Sequence, residues 1–146
     1  MVGNLSLKYL TIFSLLGWLL VGCENPKYSQ CQEIIAIANK ATDRVQKITN
    51  DSPATIVKTK TWLQAADVMN MAAKEIETLS IKDPQLIDYR ENLASIFRVY
   101  SQATYDAVKA RENKNLSALK IARDNALKVE RLNQDLVIKI NDYCQP

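Results

Sequence analysis

Asp83-Pro84-Gln85-Leu86-Ile87-Asp88-Tyr89-Arg90-Glu91-Asn92-Leu93-Ala94-Ser95-Ile96-Phe97-Arg98-Val99-Tyr100 decides the fold. Asp followed by Pro is a helix-start signal. The carboxylate accepts from a free first-turn N–H, and Pro at the first helical position has no N–H to leave unpaired. Beyond it Leu86, Leu93, Phe97, Tyr100, Thr104 and Ala107 fall on one face at helical intervals. That spacing predicts a helix from Pro84 to about Glu112 with one apolar stripe.

The same two signals, a start and a stripe, recur on both sides. Upstream, Asn50-Asp51-Ser52-Pro53 closes one helix and opens another, with Ser52 as cap and Pro53 first in the helix. The helix that follows extends to about Leu79, burying Ile56, Leu63 or Trp62, Ala66, Met69, Ala73 and Ile76. Before it, Ser29 and Gln32 have the spacing of a capping box. They open a helix to about Thr49 on Ile34, Ala38, Ala41, Val45 and Ile48. Downstream, Asn113-Lys114-Asn115 breaks the chain, because Asn side chains compete for local backbone groups. A fourth helix from about Leu116 to Tyr143 carries Leu119, Ala122, Ala126, Val129, Asn133, Leu136 and Ile140, with Leu132 as the alternative to Asn133 in the core.

The only three glycines lie at or before Gly22, a composition foreign to sheet-and-turn architectures. Four helices joined by loops of a few residues place sequence neighbours antiparallel. The fold class expected is all-α, an up-down-up-down four-helix bundle over residues 29–146. In that topology Cys31, in the first turn of the first helix, meets Cys144 at the end of the fourth. The two cysteines are therefore expected to form a disulfide, which by chain entropy contributes about 4 to 5 kcal/mol.

Residues 1–22 have the parts of a secretory leader: a polar start with Lys8, then an apolar run too short to span a bilayer permanently. The run ends in Leu20-Val21-Gly22-Cys23. That ending resembles the signal of bacterial lipoproteins, in which the leader is cut before the Cys. The resemblance implies a mature chain of 124 residues beginning at Cys23, acylated there (palmitate on sulfur), with 23–28 as a tether. It also implies anchorage on the extracytoplasmic face of a bacterial membrane, in periplasm or thylakoid lumen, an oxidising setting that suits the disulfide. Several acyl chains anchor stably where one does not. A lipobox leader followed by a histidine-free bundle is also similar in layout to small lipoproteins associated with cyanobacterial photosystem II, which implies association with a membrane protein complex.

The chain contains no His. This excludes His-centred triads, Glu-x-x-His di-iron sites and His-ligated haem. Asp67, Glu75, Asp88, Glu91, Asp124, Glu130 and Asp135 fall mostly off the stripes, and Glu75 and Glu77, two apart, point to different sides of a helix. Met69 and Met71 are read as core fillers rather than soft-metal ligands. No phosphate loop or nucleophile elbow is present. No enzyme activity, catalytic residue, metal or cofactor is expected.

The formal charge of +3 is too small to imply nucleic acid. Its distribution is uneven. At the bundle end away from Cys23, Arg44, Lys47, Lys58, Lys60, Lys109, Arg111, Lys114, Lys120 and Arg123 oppose five acidic side chains. Lys109, Arg111, Lys114 and Lys120 are the candidate docking residues, facing an acidic region of a partner. Off-stripe Tyr105, Val108, Ile121 and Ile138 form a second candidate surface. The function expected is a non-catalytic, lipid-anchored interaction or assembly module on a membrane-associated protein complex. The alternative is a small-ligand or envelope-stress module using space around Trp62, Phe97, Tyr100 and Tyr105.

Overall fold

The computed structural model describes residues 26–50 and 59–145 and forms a four-helix bundle. Its helices are α1 (Pro26–Asn50), α2 (Thr59–Glu77), α3 (Pro84–Glu112) and α4 (Leu116–Tyr143). Leader 1–22, Cys23, and the Ser52-Pro53 start with Ile56 and Lys58 lie outside the described residues.

Helix α3 has the expected bounds. Asp83 is its N-cap, the carboxylate accepting from the Leu86 N–H at 3.0 Å, and Pro84 follows at the first helical position. The expected start of α1 was too late by three residues. The helix begins at Pro26, so Ser29 and Gln32 lie inside it and form no cap, and Gln30 Nε2 donates to the Pro26 carbonyl instead. Proline in the first helical turn satisfies the same steric rule that starts α3.

Packing runs in chain order: α1 on α2, α2 on α3 and α3 on α4. The two middle helices therefore bury more than one stripe each. On α3, Ala94, Ile96, Ser101, Ala103 and Ala110 are buried beside the expected Leu86, Leu93 and Phe97. On α2, Thr61, Ala65, Val68 and Ala72 join Ala66, Ala73 and Ile76. A single-stripe pattern underestimates the contact of a helix with two neighbours. The outer helix α4 keeps one narrow seam, with Ala122, Val129 and Leu136 seven residues apart and Ile140 beyond. Leu132 does not replace Asn133: it is exposed, while Asn133 is half-buried at the edge of the seam, one turn from Val129.

Cys31 and Cys144 are joined by a disulfide that closes 113 residues of sequence, with their Cα atoms 5.9 Å apart. The main core lies toward this stapled end. It gathers Ile34, Val68, Ile76, Leu86, Leu93, Phe97, Val129, Leu136 and Ile140. Polar contacts close the end over it. Gln30 Oε1 accepts from the backbone N–H groups of Lys82, at 2.5 Å, and Asp83, at 3.2 Å. The Tyr143 hydroxyl donates to the Asp83 carboxylate at 3.0 to 3.1 Å, and its ring lies edge-on to Tyr89. Arg90 donates to the Leu79 carbonyl at 3.0 Å.

Candidate functional site

The opposite end is built from smaller side chains. Past Phe97 the inward face of α3 carries Ala103, Thr104, Ala107 and Val108, and the start of α4 offers Leu119, Ala122 and Ala126. These residues leave space where Leu and Ile fill the stapled half. Together with Thr59 and Trp62 of α2, and Arg111 and Arg123, they line an open groove of about 330 Å³. Helix α1 contributes no lining residue.

The wall of the groove is almost entirely apolar. Thr104 Oγ1 donates to the Tyr100 carbonyl one turn back, at 2.8 Å, so its donor is used within its own helix. Trp62 remains 41% exposed, whereas Leu63 is half-buried, which resolves the choice between them for the core in favour of Leu63. The charged lining consists of Arg111, from the last turn of α3, and Arg123, from the second turn of α4. Both are exposed and neither forms an ion pair among the described residues.

The loop between α3 and α4 sets the backbone positions from which the two arginines project. The Asn115 N–H bonds to the Ala110 carbonyl at 2.8 Å and the Lys114 N–H to the Arg111 carbonyl at 3.1 Å. This is the paired pattern of a Schellman stop, which requires a left-handed residue and favours glycine there. Lys114 occupies that place with φ 52°. Asn115 then caps α4, its side chain accepting from the Ala118 N–H at 3.0 Å. The Asn-Lys-Asn break thus ends one helix and starts the next within three residues.

Known protein families, curated proteins and solved structures give no match to this chain.

The four candidate docking residues all lie exposed near this turn but do not border one common hollow. Arg111 lines the apolar groove. Lys109 borders a separate, more polar depression of about 270 Å³ with Asn113, Asn115 and Ile121. Lys114 is in the turn itself, and Lys120 borders neither hollow. Arg123, counted in the basic end but not among the four, is the one that joins Arg111.

The off-stripe apolar set is likewise divided. Val108 faces the groove, Tyr105 a third depression beside Arg98 and Asn125, and Ile121 the hollow near Lys109. Ile138 is 17 residues further along α4 than Ile121, about 25 Å at helical rise. Of the four aromatic residues expected around a ligand space, only Trp62 lines the groove. Phe97 is in the core, Tyr100 packs against the core, and Tyr105 donates to the Asp67 carboxylate across α2 and α3.

Three tyrosine hydroxyls titrate above their ordinary value. Hydrogen bonding to Asp83 is the main cause for Tyr143, and hydrogen bonding to Asp67 for Tyr105. Burial, then the charge of Glu130, raises Tyr100. Asp67, Glu75, Asp88, Glu91, Asp124, Glu130 and Asp135 are all exposed. Among the described residues no three His, Cys, Asp or Glu side chains converge as metal ligands, and no helix is long and apolar enough to cross a membrane.

The small residues of the groove were visible in the sequence as Ala103/Ala107 and Ala122/Ala126, two pairs one turn apart. Read singly, each alanine is an unremarkable core residue. Facing one another across an antiparallel turn, with an arginine one turn beyond Ala107 and another beside Ala122, the pairs mark a slot.

Proposed function

We propose that this protein is a non-catalytic interaction module, held at a bacterial membrane by acyl chains on Cys23, which docks on a membrane-associated protein complex through the end remote from that anchor. The observation that carries the reading is the asymmetry of the bundle. The stapled end is closed by the disulfide and the Gln30, Asp83 and Tyr143 contacts. The other end presents Lys109, Arg111, Lys114 and Arg123 with no ion pair among the described residues. An excess of positive charge guides encounter and orientation with an acidic partner surface more than it supplies affinity. An acyl tether before Pro26 leaves this end free to face a neighbour in or on the same membrane.

Chemical cross-linking of the full chain in its membrane, followed by identification of the linked proteins, tests the docking. Reversal of Lys109, Arg111, Lys114 and Lys120 to Glu should abolish the recovered links; identical recovery with the reversed protein would remove the basic end from the proposal. Metabolic labelling with a fatty acid should mark the native chain and not a Cys23→Ser variant. A second reading, binding of a small apolar ligand, is favoured by the groove beside Trp62, whose volume falls at the lower end of ligand sites, about 300 to 1,000 Å³.

A further inference from the structure

We infer that the groove between α2, α3 and α4 holds the hydrocarbon chain of a fatty acid, with its carboxylate at Arg111 and Arg123. The inference rests on the second, ligand-binding reading and is independent of the docking reading. Three observations carry it. The groove is apolar along its wall and concave, of a size for one slender chain rather than a folded partner. Four of its lining residues, Ala103, Ala107, Ala122 and Ala126, have short side chains, which leave the space between α3 and α4 unfilled. Its charged lining is cationic and without an ion pair among the described residues: guanidinium groups from two different helices, each able to bind a carboxylate through two parallel hydrogen bonds.

An apolar molecule without charge would leave the arginines unused, and a cationic amphiphile would be repelled by them. Partner side chains carrying Asp or Glu would meet the arginines but leave the apolar wall of the groove uncovered. The acyl chains expected on Cys23 of the same molecule are held in ester and amide linkage and bring no free carboxylate to the arginines. The ligand therefore comes from outside the chain.

The full chain in isolated membranes is exposed to a long-chain fatty acid carrying a diazirine near its terminal methyl, irradiated, and its labelled peptides mapped by mass spectrometry. Label is expected on Ala103–Val108 and Leu119–Ala126, several-fold above that from the uncharged alcohol of the same chain. Ala107→Phe, or Ala126→Phe should the first not fold, fills the slot and should remove the groove label while the Cys31–Cys144 bond persists. The Arg111→Glu, Arg123→Glu double variant should lower it by about tenfold or more, since one lost charge-assisted hydrogen bond alone is in that range. Equal labelling by acid and alcohol, or label confined to other segments, would overturn the inference. So would a rise in groove label in Ile56→Asp, because the chain's own segment would then be the resident occupant. Cross-linked partners recovered unchanged from the Ala107→Phe protein would leave the docking reading standing whichever way the label falls.

Discussion

At the residue scale the most informative side chain is Lys114. A left-handed residue with a Cβ costs about 1 to 2 kcal/mol relative to the right-handed region, and glycine avoids the cost. Lys114 has φ 52° in a stop where glycine is usual. Lys114→Gly should therefore raise stability by about 1 kcal/mol, read as a higher urea midpoint with an unchanged slope; a lower midpoint would mean that the lysine side chain contributes more than its backbone costs. Asp83 is the opposite case, because its carboxylate caps α3 and also receives the Tyr143 hydroxyl. Asp83→Ala should destabilise by about 1 to 2 kcal/mol, whereas Asp83→Asn, which can still cap, should cost less. The cap was legible from Asp83-Pro84. The Tyr143 contact, 60 residues away in sequence, was not, because no local pattern encodes which distant hydroxyl reaches a cap.

At the element scale the tyrosine contacts set an alkaline limit. Tyr143 ties α4 to the start of α3, and Tyr105 ties α3 to α2. Their hydroxyls are raised above the ordinary value near 10 by hydrogen bonds to carboxylates. Between the unfolded and folded values the native state binds more protons than the unfolded chain, so stability falls as pH rises there. The stabilisation is complete below about pH 10 and disappears as pH passes through the folded values. Urea midpoints measured from pH 8.5 to 11.5 should decline from about pH 10 upward, and Tyr143→Phe should flatten part of that decline. Helix boundaries were readable at this scale at Pro84 and Asn115, where a cap marks each start. They were misread at Ser29, where a capping-box spacing lies inside a helix that Pro26 had already started. Spacing alone does not distinguish a cap from an interior Ser. The occupancy of the preceding turn does.

At the scale of the whole molecule the bundle has two unlike halves. The stapled half holds the large core side chains, and Leu86→Ala there, at a fully buried position, should cost about 2 to 5 kcal/mol. Reduction of Cys31–Cys144 should cost about 4 to 5 kcal/mol by chain entropy for so long a loop, seen as a large fall in melting temperature with reductant; an unchanged melting temperature would show that the staple does not constrain the unfolded chain. The sequence by itself determined four helices, their antiparallel order, the disulfide and the basic character of one end. Each follows from local rules: helical periodicity, caps, short connections, and the end-to-end geometry that an even number of antiparallel helices imposes. Tertiary structure alone decided how that basic end is divided. It set Arg111 and Arg123 on one groove, Lys109 on another hollow and Lys120 on neither. It also decided that the alanines of α3 and α4 enclose a slot instead of closing against each other. The physical reason is that a helix pattern specifies which side is apolar but not the shape of the space between three helices. That shape depends on the joint volume of side chains far apart in sequence, and here their sum leaves a gap beside Trp62.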